Sequence, residues 1–185
     1  MSVPRGKVQR GDRAAAFAAI QPMPWGGMGV RINGDAISEL IFLPDAPAAV
    51  AVPGHPLARE ACRQIDAYRR DADFCFDLPL LLRGTDFQRE VWRAITAVPR
   101  GRTRRYGDIA AELGSSARAV GQACGANALP LVIPCHRVVA AGGLGGFAHH
   151  RDGYLLQAKR WLLAHERQDL LQPAGGDVSE GALHG

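Results

Sequence analysis

The sequence has few cysteines, and none of them lies at the spacing of a metal-binding motif. Cys62, Cys75, Cys124 and Cys135 are the four cysteines in 185 residues, and no C-x-x-C pair occurs among them. A chain of this length with so few cysteines does not belong to the small, disulfide-dense secreted class. We therefore expect free thiols in a reducing compartment, and we predict neither a bound metal nor a cofactor.

Long apolar runs are also missing. No segment approaches the roughly 18 consecutive apolar residues of a membrane span, and no apolar run follows the charges of residues 1–10, as it would in a signal peptide. We expect a cytoplasmic protein with no membrane partner. The excess of one charge sign is also small, because 22 basic and 18 acidic residues give a net charge of only +4. That balance permits a nucleic-acid partner without requiring one.

The first part of the chain, residues 1–82, is predicted to be a small α/β domain made of an antiparallel sheet and a helix. Asn33-Gly34 lies between two apolar segments and is a strong hairpin signal. Apolar residues at helical spacing predict an amphipathic helix over 56–70. Residues 74–82 fit either a last strand or an extended linker.

The second part, residues 83–166, is predicted to be a mostly helical, winged-helix-like domain. Thr85 and Gln88 form a capping-box pattern at the start of its first helix. Two short helices, about 106–113 and 115–124, flank a glycine and indicate a helix-turn-helix. A last helix is expected over 153–165, and the tail 167–185 lacks periodicity and is expected to be disordered.

Cys135 is the strongest candidate for chemistry, because it ends an apolar run and His136 follows it directly. A reactive thiol needs a nearby base, cation or helix N-terminus that lowers its pKa. Glu166 could orient the imidazole as a base. Taken alone, Cys135 is more commonly a buried structural cysteine, and Glu166 is more commonly a solvated residue at a helix end.

Arginine is concentrated between Arg83 and Arg118. This stretch holds eight arginines against four acidic residues, an excess equal to that of the whole chain. The excess suits contacts with phosphates, although a charge run is more often a solvated helix face. Small residues flank Arg118 in Ala117-Arg-Ala-Val-Gly121, and they would let this helix approach either DNA or a core closely.

Together these residues match a known pattern. The stretch from Arg118 through Asn127 to Pro-Cys135-His136-Arg137-Val-Val closely resembles the O6-alkylguanine-DNA alkyltransferases, or methylated-DNA–protein-cysteine methyltransferases. The resemblance is strong over about 85–166 and loose in the N-terminal region. It implies a DNA repair protein that moves the alkyl group from guanine O6 in double-stranded DNA irreversibly to its own cysteine. It also implies a monomer that needs no cofactor.

The resemblance assigns a role to each matching residue. Cys135 would be the nucleophile, His136 a base acting through a water, and Glu166 the group that orients it. Asn127 would hold the turn before the cysteine, and Tyr106 would donate a proton to the departing guanine. DNA contacts would come from Arg118, which fills the gap left by the flipped base, and from Ala117, Gly121, Arg105 and Thr103. The substrate pocket would include Val138, Phe147, Ala148 and Lys159.

The chain departs from the family in the loop that walls the alkyl pocket. After Phe147 it reads Ala-His-His-Arg-Asp-Gly153, about four residues longer than usual and with His and Arg in place of small residues. The insertion either alters access to the pocket or lies on the surface without effect. Arg105 also replaces a small hydroxyl residue before Tyr106 and could contact a phosphate.

Two functions compete on this pattern. The first is the single-turnover alkyltransferase. The second is a non-catalytic protein or regulator that binds alkylated DNA, which a closed pocket would still permit. The retained Cys135 counts against the second function. A Cys-His hydrolase is weaker still, because the sequence offers no oxyanion-hole motif.

Overall fold

A computed structural model describes residues 17–46, 54–146 and 153–171. The chain begins with a three-stranded antiparallel sheet of order β1-β2-β3. Its strands are β1 (Ala19–Met23), β2 (Gly26–Asn33) and β3 (Ala36–Leu43). The predicted hairpin joins β2 to β3, and Gly34 adopts the left-handed conformation that the turn requires, with φ of 61°.

One long helix covers this sheet. Helix α1 (Pro56–Arg70) has the predicted bounds, begins at a proline and packs against β1 and β2. Ile65 and Tyr68 on its inner face are buried. Residues 74–82 form no continuous strand: a single bridge joins Leu80 to Ile37 in the sheet, so the linker interpretation describes them better.

The C-terminal half begins with α2 (Asp86–Thr96), which carries the predicted capping box. The Thr85 hydroxyl accepts from the Gln88 backbone N–H, and the Gln88 side chain accepts from the Thr85 N–H. Trp92 is buried and donates its indole N–H to the Ala123 carbonyl, 2.8 Å away. This bond fixes α2 against the second helix of the helix-turn-helix.

The predicted helix-turn-helix is present. Its helices are α3 (Tyr106–Glu112) and α4 (Ala117–Gly125), joined through Gly114 at a φ of 61°. Ser116 caps α4 by accepting from the Ala119 N–H. Two short parallel strands, β4 (Arg104–Arg105) and β5 (Val138–Val139), pair beside it. The predicted fold class, an α/β part followed by a mostly helical helix-turn-helix part, is therefore confirmed.

The last helix is longer than expected. Helix α5 runs over Tyr154–Leu171, so the expectation of disorder from residue 167 is wrong for residues 167–171. Glu166, one residue past the predicted end, is buried with 1% of the residue exposed. Within the described ranges, no helix is long and apolar enough to cross a membrane.

Candidate active site

Cys135 lies at the start of a short 3-10 turn, Cys135–Arg137, directly after the apolar run. Its side chain is buried, with 6% of the residue exposed. The Asn127 amide donates to the Cys135 sulfur at 3.2 Å and to the Ile133 carbonyl at 2.9 Å. The Leu129 backbone N–H in turn donates to Asn127 Oδ1 at 2.9 Å. The asparagine therefore links the end of α4, the intervening loop and the sulfur.

The loop that Asn127 closes contains a residue in an uncommon conformation. Leu131 has a φ of 72°, a left-handed conformation that a non-glycine residue rarely adopts. Its side chain is buried, and the Ile133 N–H donates to the Leu129 carbonyl behind it. Burial and hydrogen bonding together offset a backbone cost of about 1 kcal/mol. The tight turn places Cys135 close to the end of α4.

His136 and Glu166 form the buried pair that the resemblance implied. His136 Nε2 lies 2.7 Å from Glu166 Oε1, and each residue is only 1% exposed. The carboxylate favours the tautomer in which Nε2 carries the proton. His136 Nδ1 is also buried and has no hydrogen-bond partner among the residues that the structure describes. The nitrogen that can accept a proton is therefore the one turned away from Glu166.

Two further residues bind Glu166, and the sequence interpretation gave neither of them a role. Arg137 donates from Nε to Oε2 and from Nη2 to Oε1, each at 2.9 Å, and also donates to the Val98 carbonyl. Tyr68 donates its hydroxyl to Oε1 at 2.9 Å. The sequence could have indicated a role for Arg137, because it is a charged residue within a mostly apolar segment. Nothing local could have indicated Tyr68, which lies 98 residues away.

The protonation of the cysteine differs from the expectation. A depressed thiol pKa was expected, but burial raises the pKa of Cys135 above its ordinary value, and Asn127 and Lys159 offset this only in part. Burial also lowers the pKa of His136, although Glu166 opposes that shift. At neutral pH the site thus holds a neutral thiol beside a neutral imidazole.

Lys159 and Tyr106 meet at one backbone carbonyl. The buried Lys159 ammonium donates to the carbonyls of Val138, Leu144 and Gly146 at 2.7, 2.7 and 3.1 Å. The Tyr106 hydroxyl donates to the same Gly146 carbonyl at 3.2 Å. Burial lowers the pKa of Lys159 to about 8 and raises that of Tyr106. Lys159 thus anchors the segment that leads into the unusual loop, instead of projecting into open space.

A cavity of about 230 Å³ opens beside the sulfur. Both halves of the chain line it, Phe42 from β3 on one side and Cys124, Pro130 and Tyr154 on the other. Phe147, Ala148 and the rest of the insertion lie outside the described residues. Among the residues that the structure describes, no group of three His, Cys, Asp or Glu side chains could hold a metal ion.

The predicted DNA-contacting residues lie on two elements. Ala117 and Arg118 are exposed on the first turn of α4, and Arg118 forms no ion pair with the residues that the structure describes. A Cβ at Gly121, one turn later, would meet no atom within 4 Å, so the protein's own packing does not require a glycine there. Arg105 is exposed and Thr103 is half-buried, both at or just before α3.

Comparison with known proteins agrees with this geometry. Residues 86–168 match the family described as 6-O-methylguanine DNA methyltransferase, DNA binding domain. A methylated-DNA–protein-cysteine methyltransferase of Mycolicibacterium paratuberculosis is 47% identical over 111 residues, which are 58% of this chain and 64% of that protein. The chain thus spans less than two thirds of the length of such curated relatives.

Solved structures extend the match over both halves. The crystal structure of Mycobacterium tuberculosis O6-methylguanine methyltransferase is 34% identical with a TM-score of 0.64, covering 84% of this chain and 94% of that one. The structure of Mycobacterium tuberculosis OGT in complex with DNA is 35% identical with a TM-score of 0.65, covering 80% and 91%. The chain therefore belongs to the O6-alkylguanine-DNA alkyltransferase (methylated-DNA–protein-cysteine methyltransferase) family.

Proposed function

We propose that this protein repairs O6-alkylguanine in double-stranded DNA by moving the alkyl group to Cys135, once per molecule. The observation that carries the proposal is a buried sulfur that accepts a hydrogen bond, with a carboxylate-bound histidine next to it in the chain. Asn127 binds the sulfur itself, and the neighbouring His136 is held by Glu166 with its other ring nitrogen unpaired among the described residues.

The chemistry follows from these atoms. The Cys135 sulfur forms a bond to the alkyl carbon as the bond from that carbon to guanine O6 breaks. The thiol proton passes to His136 Nδ1 through a water, and Glu166 stabilises the imidazolium that forms. Tyr106 keeps its proton at neutral pH, because burial raises its pKa, and its hydroxyl can donate a hydrogen bond to the departing guanine. The guanine leaves with one proton in place of the alkyl group, which balances the proton that the thiol gave to His136.

The product explains why the protein would act only once. A thioether has no good leaving group, so no group in the site can regenerate the thiol. All four cysteines are free in the structure, as a protein that depends on a reduced sulfur requires. We infer that it works as a monomer in the reducing cytoplasm.

DNA would bind along the helix-turn-helix. Arg118 is exposed at the start of α4 and free to contact the duplex, and the related Mycobacterium tuberculosis protein has been crystallised with DNA. The alkylated base must leave the stack before a buried sulfur can reach it. Arg118 would then occupy the space that the base leaves. Ala117, Gly121, Thr103 and Arg105 are proposed as further contacts.

Alkyl transfer is tested with duplex DNA carrying radiolabelled O6-methylguanine. We expect label on the protein to rise to one equivalent and then stop, and to be absent in Cys135→Ala. Cys75→Ala provides the matched control, because Cys75 is exposed and remote in sequence from the site. Continued turnover, or label transfer that survives Cys135→Ala, would contradict the proposal. Tight binding without any transfer would instead favour the non-catalytic lesion-binding protein.

A further inference from the structure

Glu166 Oε1 carries an unusual number of donors. His136 Nε2 lies 2.7 Å from it, and the Tyr68 hydroxyl and Arg137 Nη2 each donate at 2.9 Å. Glu166 Oε2 accepts only from Arg137 Nε. The oxygen that binds the proposed base is therefore shared with a phenol from the other half of the chain.

Tyr68 is held firmly enough to serve this contact. It lies on the buried face of α1 and is 3% exposed. Its ring packs against Phe76 at 5.5 Å and against His165 at 5.4 Å. His165 Nε2 also lies 2.7 Å from the Tyr68 backbone carbonyl, so α1 and α5 are joined at two adjacent points. These contacts accompany the hydrogen bond from the Tyr68 hydroxyl to Glu166 Oε1.

We infer that Tyr68 is a positioning residue for alkyl transfer: by sharing Glu166 Oε1 with His136, its phenol limits how much of the carboxylate's charge acts on the imidazole. A hydrogen bond to a carboxylate oxygen withdraws charge from that oxygen, and the effect is strong in a dry interior. The N-terminal half thereby sets the basicity of the site without touching the substrate. This inference rests on the function proposed above.

Other charged groups act on His136 and Tyr68: Arg137, Lys159 and Arg100. Arg137, on the same 3-10 turn as His136, donates to both carboxylate oxygens of Glu166. Lys159 on α5 lowers the pKa of His136 through its positive charge, and Cys135 is neutral at rest. Arg100, whose positive charge acts to lower the pKa of Tyr68, is paired with Asp73. Burial and the Glu166 charge raise the pKa of Tyr68, so the phenol stays protonated and donates at every working pH.

The direction of the effect follows. In Tyr68→Phe, Glu166 Oε1 keeps His136 and Arg137 but loses one donor, so more of its negative charge stabilises the imidazolium. The pKa of His136 then rises, and the base becomes available only at higher pH. We expect the acid limb of the rate profile to move upward by about half a unit to one unit.

The test measures the single-turnover rate constant with free O6-benzylguanine from about pH 4.5 to about pH 8, because burial holds the pKa of His136 below the ordinary histidine value. In Tyr68→Phe we expect the rate to fall several-fold at the acid end and to match or exceed the original near pH 8. The final yield stays at one alkyl group per protein. Phe76→Leu is the control, because it loosens the packing around Tyr68 but keeps its hydroxyl, and its midpoint should not move.

A second measurement follows the imidazole directly. Nuclear magnetic resonance of ¹³C-labelled histidine in the unreacted protein should show the same upward shift of the His136 midpoint. An unchanged midpoint in Tyr68→Phe, or a rate that falls equally at every pH, overturns the tuning role. If the unmodified protein transfers no alkyl group at all, the proposed function itself is wrong, and the two failures are thereby distinguished.

Discussion

At the scale of single residues, Asn127 does the most for the geometry of the sulfur. Its amide donates to Ile133 and to Cys135, and its oxygen accepts from the Leu129 N–H. Asn127→Ala would leave buried backbone groups without partners and release the loop that contains the left-handed Leu131. We expect the free energy of unfolding to fall by about 3 kcal/mol and the rate of alkyl transfer to fall about tenfold or more.

The measurements for Asn127→Ala are urea unfolding and single-turnover transfer from labelled DNA. Gln122→Ala is the matched control: Gln122 is exposed on the same helix, and its loss should change stability by less than about 0.5 kcal/mol. If Asn127→Ala changed the free energy of unfolding by less than about 0.5 kcal/mol and left the transfer rate unchanged, the loop would hold its shape without the asparagine.

The sequence could predict individual site residues only where the motif is local. Asn127, Cys135 and His136 lie within ten positions, and the resemblance supplied Glu166. Tyr68 was beyond reach, because its position depends on how α1 packs against α5 and not on any neighbour in sequence. The thiol pKa was missed for a similar reason. Burial, which decides it, depends on residues far from Cys135.

At the scale of elements, α4 has a buried face and an exposed first turn. One face carries Ala123 and Cys124 into the interior, and the first turn exposes Arg118. Arg118→Ala should therefore slow repair of duplex DNA while leaving the reaction with free O6-benzylguanine unchanged, because only the duplex requires base flipping. We expect about a tenfold loss on the duplex.

The two substrates are compared in the same single-turnover assay at fixed salt concentration. Arg59→Ala is the control for removing one positive charge, since Arg59 is exposed on α1, outside the helix-turn-helix. Its duplex rate should remain close to the original. Equal losses on both substrates in Arg118→Ala would mean that Arg118 supports the fold or the pocket and not the flipped base.

Helices were easier to predict than the short strands, for physical reasons. A helix signals itself through periodicity and caps, as with the Thr85–Gln88 box and the Pro56 start. The strands β4 and β5 are two residues long and pair across more than thirty positions, so no local pattern marks them. The end of α5 was placed too early, at residue 165 instead of Leu171.

At the scale of the whole molecule, the two halves are joined through the site. Tyr68 contacts Glu166, the Tyr154 hydroxyl donates to the Phe42 carbonyl, and the Leu40 N–H donates to the Ala128 carbonyl. The cavity beside Cys135 is also lined from both halves. The resemblance was loose over the N-terminal part, and no motif there indicated that this part lines the cavity.

Such an interface predicts that the halves unfold together. Trp161 on α5 stacks at 4.6 Å on His165 of the same helix and lies edge-on at 5.5 Å to Trp25 in the turn between β1 and β2, so its ring contacts the N-terminal half. Trp161→Ala should therefore lower the unfolding free energy of both halves equally, by about 2 kcal/mol for a half-buried ring.

Native-state hydrogen exchange reports each half through its most protected amides, in β2 and in α2. Leu82→Ala, at a residue 41% exposed, is the control and should leave both sets of amides unchanged. If Trp161→Ala loosened only the α2 amides, the N-terminal half would be an independent unit, and the link from Tyr68 to Glu166 would open without unfolding the sheet.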